Sequence, residues 1–238
     1  MSGWKVGTVT STRTQTASAR VISLAVPGWP GNVAGQHVDV RLTAPDGYTA
    51  VRSYSIASAG PGENVELAVD RLPDGEVSPY LVDDLQNGDQ VELRGPLGGW
   101  FVWKPEQTDR VQLIGGGSGI VPLMAMMRSH AASGSTAPFR LLSSVRTPDD
   151  VIYRDEIAGL DGSALDTMLV YTRMAPVGWP VPPGRLSKEI LAESVFPASD
   201  DPLIFVCGPT GFVEAVATWL VELGHEQSRI KTERFGGL

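Results

Sequence analysis

The chain has 238 residues but only one cysteine, Cys207, and three histidines. One thiol cannot close an internal disulfide or supply the thiolates of a Cys-ligated iron–sulfur cluster. So small a set of Cys and His also argues against a structural zinc site, and no metal ligands are assigned. No apolar run approaches the ~20 residues of a membrane-spanning helix. The opening residues, Met1-Ser2-Gly3-Trp4-Lys5-Val6, lack the apolar core of a secretion signal, so the expected location is cytoplasmic. Positive charge is scarce as well. Lys and Arg number 19 against 27 Asp and Glu, a net charge of −8, which speaks against nonspecific nucleic-acid binding and favours solubility. Disorder is excluded by 42% hydrophobic and 19% charged residues, an ordinary globular composition. Any redox chemistry therefore needs an organic cofactor.

The chain changes texture near its middle. Short segments rich in Val, Ile, Leu and Thr fill the first hundred residues: Val6–Thr10, Ala19–Val26, His37–Leu42, Val51–Ile56, Val65–Arg71 and Gln90–Arg94. Several alternate, as in Val38-Asp39-Val40-Arg41-Leu42, which places one face inward and one in water. Turns such as Pro45-Asp46-Gly47, Pro73-Asp74-Gly75 and Asn87-Gly88-Asp89 separate them. Six short strands at near-regular spacing predict a closed antiparallel β-barrel. One helix is predicted among them, Ser78–Leu85, with Ser78 as its cap and Pro79 in its first position.

The polar stretch Lys104-Pro105-Glu106-Gln107-Thr108-Asp109 reads as a linker. Beyond it strands alternate with helices: Val111–Gly115 and Ile120–Ala132, Phe139–Val145 and Val151–Leu160, Thr167–Thr172 and Ser187–Val195, Leu203–Cys207 and Gly211–Leu223, then Ile230–Phe235. That order predicts a five-stranded parallel, Rossmann-like α/β domain with helices on both faces. The expected division is a barrel domain at 1–104 and an α/β domain at 105–238.

Five motifs could carry chemistry. In Leu113–Met127 an apolar strand ends in glycines and passes at once into a helix, an arrangement in which free amides of the first turn can face a phosphate. The dinucleotide fingerprint is imperfect, because Gly117-Ser118-Gly119-Ile120-Val121 is followed by Pro122, and a tight turn with no ligand is the plain alternative. Arg52-Ser53-Tyr54-Ser55 offers a guanidinium, a phenol and a hydroxyl on one strand, or an ordinary surface strand. Gly75-Glu76-Val77-Ser78 offers a second phosphate-binding turn, or simply a capped helix. Cys207-Gly208-Pro209 stands at the end of the fourth parallel strand, where open α/β sheets bind ligands, although Cys207 could also be a core thiol. Glu233-Arg234-Phe235 ends the last strand.

Taken in order, these five motifs resemble the ferredoxin–NADP(+) reductase family, over essentially the whole chain. The likeness is strongest to the reductase components of bacterial oxygenase systems, whose phrasing is similar to Val145–Glu156. The resemblance implies FAD on the barrel and a nicotinamide nucleotide on the α/β domain. It implies that Arg52, with Ser53 beside it, pairs with the flavin pyrophosphate, that Tyr54 lies on the isoalloxazine, and that Ser55 sits near N5. Gly75, Val77 and Ser78 would hold the pyrophosphate and favour FAD over FMN. Gly115, Gly116, Gly117, Ser118 and Gly119, with Pro122 behind them, would cradle the nicotinamide nucleotide. Cys207, Gly208 and Pro209 would border the nicotinamide with Glu233 nearby, and Phe235 would cover the other flavin face. Ser55, Cys207, Glu233 and Phe235 are thus the catalytic candidates. In relatives that stop at the aromatic it is the terminus, whereas Gly236-Gly237-Leu238 follow Phe235 here.

The second parallel strand ends in Arg146 rather than in the acid usual for NAD, and Arg173 and Arg185 add cations further on. NADPH is therefore expected over NADH. The alternative is that these arginines are surface charges or pair with Asp149, Asp150 and Asp155. The implied activity is hydride transfer from NAD(P)H to flavin, then single electrons to a separate acceptor, a ferredoxin-like or oxygenase component. The alternatives are a flavin reductase or diaphorase serving small acceptors, and a non-catalytic flavin-binding regulatory subunit.

Overall fold

The computed structural model of the chain describes residues 3–161 and 165–236. The chain folds into two compact units, Met1–Lys104 with Met124–Ser129, and Pro105–Leu123 with His130–Leu238. Gly237 and Leu238, which follow Phe235 in sequence, lie outside the described residues.

The first unit is a six-stranded antiparallel sheet made of β1 (Lys5–Thr14), β2 (Ala19–Ala25), β3 (His37–Thr43), β4 (Thr49–Ser55), β5 (Asn64–Asp70) and β6 (Gln90–Leu97). Its order is β4-β3-β6-β1-β2-β5. The two edges meet just beyond β4, where Ile56 bridges Leu67 and the Ala57 amide donates to Glu66 O at 2.8 Å. The sheet therefore closes as the alternating pattern predicts. Inward side chains, among them Ile22, Leu24, Val38, Val40, Leu67 and Leu93, form a single apolar cluster. The first strand runs four residues past Thr10, because the polar stretch Ser11–Thr14 pairs with Arg20–Ser23 of β2.

The helix predicted at Ser78–Leu85 takes another form. Its body is a π-helical turn, Tyr80–Asp84, and Ser78 does not cap it. Ser78 is buried, and its Oγ accepts from the Leu72 amide at 3.1 Å, which ties the preceding turn to itself. Leu81 and Leu85 are fully buried in the barrel core, and such burial stabilises by about 1.5–3 kcal/mol per side chain.

The second unit is a parallel sheet of β7 (Val111–Gly116), β8 (Phe139–Val145), β9 (Leu165–Tyr171), β10 (Leu203–Pro209) and β11 (Ile230–Phe235), ordered β11-β10-β7-β8-β9. Its helices are α1 (Ile120–Ser133), α2 (Arg154–Leu160), α3 (Lys188–Ser194) and α4 (Thr210–Glu222). Ile114, Leu142, Val170 and Val206 face α3 and α4 in one cluster. On the opposite face the His130 ring of α1 lies against Phe139, with centroids 4.1 Å apart. Both faces are covered, which is why all six residues of β7 are buried.

One predicted helix starts late. Val151–Leu160 reads as a single helical run, but Tyr153 adopts a left-handed conformation (φ 62°), and helix begins only at Arg154. Val151, Ile152 and Tyr153 are buried as non-helical backbone instead. Among the described residues no helix is long and apolar enough to cross a membrane.

Candidate cofactor and active sites

On the barrel, β4 pairs with β3 so that Arg52 stands opposite Val40 and Tyr54 opposite Val38. Directly opposed residues share a face of the sheet, so Arg52 and Tyr54 lie on the face of Val40 and Val38, Tyr54 half-buried and Arg52 exposed. Tyr54 packs against the core cluster, and burial pushes its phenol up to about 12, with Arg52 pulling the other way. Tyr54 is therefore a neutral ring with a hydrogen-bonding end. Ser53, one residue out of phase, points away from this pair: its hydroxyl donates to Asp39 Oδ1 at 2.7 Å, beside the Arg94–Asp39 ion pair. Its side chain latches β4 to β3, and only its backbone stays with Arg52 and Tyr54. Burial raises the Asp39 carboxyl, but the Ser53 hydroxyl and the Arg94 guanidinium outweigh it and hold the group below its usual range.

The Arg52 guanidinium is ion-paired with Glu76, and its Nη1 donates to Val51 O at 2.8 Å. The second oxygen of Glu76 accepts from Tyr48 Oη at 2.7 Å. Glu76 occupies an unspecified position of Gly75-x-x-Ser78, so spacing alone gives it no role. At Gly75 an added β-carbon would stand 2.8 Å from Ser78 Oγ, so a side chain there would displace the hydroxyl that holds the Leu72 amide.

On the parallel sheet, β7 ends at Gly116, a 3₁₀ turn spans Gly117–Gly119, and α1 starts at Ile120 with Pro122 as its third residue. Pro122 thus falls in the first turn, where a missing amide costs no helical bond. Gly117 has φ 55° and no heavy atom within 4 Å of the place a β-carbon would take. Gly119 is the opposite case. A β-carbon there would lie 2.1 Å from Cys207 O and 2.9 Å from Gly208 N. This close approach puts the glycine turn against Cys207-Gly208-Pro209 at the carboxyl ends of adjacent strands. An open turn of glycines at a helix N-terminus fits a pyrophosphate, and the residues present suit a nicotinamide nucleotide.

Phe212, to which the motifs assign no role, fills the space between the two turns. Added β-carbons at Gly116 and Gly208 would come within 2.8 Å and 2.9 Å of its ring. The sequence signal for it is an aromatic four residues after Gly208, at the start of α4.

Cys207 is fully buried, and burial, helped by Glu233, pushes its thiol well above the ordinary range. Glu233 stands opposite Cys207 in the β10–β11 register, and Phe235 opposite Pro209. Phe235 is exposed.

Arg146 follows β8 directly and Arg173 lies two residues beyond β9, and both are exposed. Two of the acids named as possible partners bond elsewhere: Asp149 pairs with Arg154, and Asp150 accepts from Thr147 Oγ1 at 2.6 Å. Arg185 is exposed in the loop after Gly184, whose amide donates to Tyr171 O at 2.9 Å. In the same loop Trp179 Nε1 donates to Leu169 O at 3.1 Å, which ties the loop back to β9. Among the described residues no cluster of His, Cys, Asp and Glu is placed to hold a metal.

Residues 7–102 match the oxidoreductase FAD-binding domain family and residues 113–218 the oxidoreductase NAD-binding domain family. The glycine betaine monooxygenase reductase subunit of Chromohalobacter salexigens is 33% identical over 207 residues, 85% of this chain and 55% of that relative. NADH-cytochrome b5 reductase 1 of Neosartorya fischeri is 29% identical over 82% of this chain and 65% of its own length. The chain therefore spans little more than half of the first of these relatives. Among solved structures, the flavohem-like FAD/NAD binding domain of a nitric oxide dioxygenase from Vibrio cholerae superposes over 100% of both chains, with a TM-score of 0.87 and 26% identity. With an antiparallel barrel matching the first family and a parallel sheet matching the second, the chain belongs to the oxidoreductases that join an FAD-binding domain to an NAD-binding domain.

Proposed function

We propose that this chain is an FAD-dependent NADPH reductase that passes electrons to a separate redox protein. The observation that supports the reading is the approach of Gly119 to Cys207, which leaves no room for a side chain and brings the glycine turn against the Cys-Gly-Pro turn. FAD, once bound, supplies a hydride acceptor that can release its electrons one at a time. The residues of the chain bind and orient. Arg52 offers the charge for the flavin pyrophosphate, Gly75, Val77 and Ser78 its turn, and Tyr54 a neutral ring face. Ser55, at the end of β4, supplies a hydroxyl for the flavin N5 edge. Gly115–Gly119 take the nicotinamide nucleotide pyrophosphate. Cys207, held neutral by its burial, walls the nicotinamide rather than acting as a thiolate, with Glu233 beside it. No residue is required to move a proton in the hydride step. Phe235 is assigned to cover the flavin.

NADPH is favoured by Arg146 and Arg173. Both are exposed at adjoining strand ends, and neither guanidinium has a hydrogen-bond or ion-pair partner among the described residues. Relatives named for NADH support the second reading, an NADH enzyme. The electron acceptor is proposed to be an oxygenase component or another small redox protein, in keeping with the reductase subunit of a monooxygenase among the relatives. Anaerobic titration of the flavin-loaded protein tests the whole reading. NADPH is expected to bleach the visible flavin band stoichiometrically, and more efficiently than NADH. A bound flavin that neither coenzyme reduces would remove the reductase assignment.

A further inference from the structure

We infer that Glu76 is an internal anion held on Arg52, and that the flavin pyrophosphate binds by replacing the Glu76 carboxylate there. The inference deepens the proposed function and rests on its assignment of Arg52 to the flavin pyrophosphate. Three observations lead to it. The Glu76 carboxylate uses both oxygens, one on the Arg52 guanidinium and one on Tyr48 Oη at 2.7 Å. Tyr48 first and then Arg52 hold its carboxyl below the usual range, so it is anionic at neutral pH. Beside the trio opens a cavity of about 510 Å³ lined by Tyr48, Glu76, Tyr80, Ala50 and Leu42, with room for a carboxylate that leaves Arg52.

Carboxylate and phosphate present the same paired oxygens to a guanidinium, so one anion can take the place of the other without rebuilding the site. The exchange is undemanding, because the side chains of Arg52 and Glu76 are 51% and 46% exposed, and ion pairs so open to water are weak. Glu76 sits inside Gly75-x-x-Ser78, the same short turn assigned to the pyrophosphate. When the phosphates arrive, its charge opposes them unless it swings away. Glu76 thus lowers flavin affinity and keeps the guanidinium paired until flavin binds.

The test is the dissociation constant of FAD for the deflavinated full-length chain, read from quenching of flavin fluorescence. Glu76→Gln is expected to tighten FAD by about five- to tenfold, from loss of a competing ion pair and of one repulsive charge. Tyr48→Phe, which frees the second carboxylate oxygen without touching Arg52, is expected to tighten FAD by a smaller factor. Arg52→Gln should weaken FAD, and Glu76→Gln added to it should bring a smaller gain than it brings alone, because only the repulsive charge is then left to remove. If Arg52→Gln weakens FAD but Glu76→Gln leaves it unchanged or weaker, Glu76 is not a competitor and the inference falls, while Arg52 keeps its role. If Arg52→Gln has no effect, the assignment of Arg52 to the flavin falls, and the inference falls with it.

Discussion

The main-chain carbonyl of Arg146 accepts from the amide of Arg173 at 2.9 Å, and from that of Met174 at 3.3 Å. These bonds tie the carboxyl ends of β8 and β9 together, so the two guanidiniums leave from adjoining backbone positions at one edge of the sheet. A 2′-phosphate met by two arginines gains charge-assisted hydrogen bonds, each worth about 1.5–3 kcal/mol. Arg146→Ala and Arg173→Ala are each expected to lower kcat/KM for NADPH by about 10–100-fold, with little change for NADH. Steady-state kinetics with both coenzymes provides the measurement. Equal losses with NADPH and NADH would mean that these residues support the sheet edge rather than read the phosphate.

The glycines of the β7–α1 turn are not equivalent, and two substitutions separate them. Gly119→Ala forces a β-carbon to 2.1 Å from Cys207 O and 2.5 Å from its carbonyl carbon, both backbone atoms that cannot turn aside. Such overpacking costs about 1–3 kcal/mol, which for a chain of this size lowers Tm by about 2–12 °C. Gly117→Ala meets no neighbour, and its cost comes only from the left-handed backbone (φ 55°), about 1 kcal/mol. Differential scanning calorimetry is expected to rank Gly119→Ala well below Gly117→Ala. Nucleotide titration of the soluble fraction should show weakened NADPH binding for Gly119→Ala. The reverse order of stability would contradict the close approach of the two turns.

What can be read in the sequence is whatever its local patterns encode. Alternation in His37–Leu42 and the apolar run into Gly115 give barrel strand and parallel strand directly, because side-chain period and glycine punctuation are local properties. Arg52 and Tyr54 can be placed on one face from strand alternation alone. Ser53 is legible only as part of a motif, since its partner Asp39 lies on another strand. Tyr153 escapes the pattern because a buried apolar triplet continues a helical run equally well, and only its left-handed backbone breaks that run. Glu76, Tyr48 and Phe212 stay hidden for a related reason. Their meaning lies in contacts made across 28, 24 and, between Phe212 and Gly116, 96 residues, separations that motif spacing does not register.

Two buried histidines are expected to make the fold sensitive to acid. His130 Nε2 lies 2.9 Å from Ala137 O, and a carbonyl only accepts, so that nitrogen carries the proton and donates. Burial lowers the pKa of both His130 and His225 from the ordinary value near 6.5. A lowered folded-state pKa means that the unfolded chain takes up protons first. The stabilisation is complete above the ordinary range and is lost as pH falls through it towards the folded values. The urea midpoint is expected to drop between about pH 7.5 and pH 5.5. In His130→Gln, which keeps a donor without a titratable ring, the drop should be shallower even if the variant starts from lower stability. NMR titration of the ring protons adds a direct check: native imidazoles that titrate at the free value would remove the histidines as the cause.

Cys207 gives the sharpest chemical prediction, because its environment fixes its protonation state. The side chain is fully buried in β10, burial raises the thiol well above its ordinary range, and the charge of Glu233 raises it further. The thiolate is the reacting species towards disulfides and alkylating agents, so both access and ionisation work against labelling. In the native protein Cys207 is expected to react with a chromogenic disulfide reagent at least about a hundredfold more slowly than a free thiol at the same mildly alkaline pH. Unfolding in denaturant should restore the ordinary rate, with one thiol titrated per chain, as the single cysteine requires. Raising the pH should accelerate native labelling only beyond the ordinary thiol range, since the folded protein holds the proton longer than the unfolded one. Native labelling at the free-thiol rate would mean that Cys207 is open and ionised in solution. It would then be a candidate electron relay or nucleophile rather than the neutral wall of a nicotinamide site.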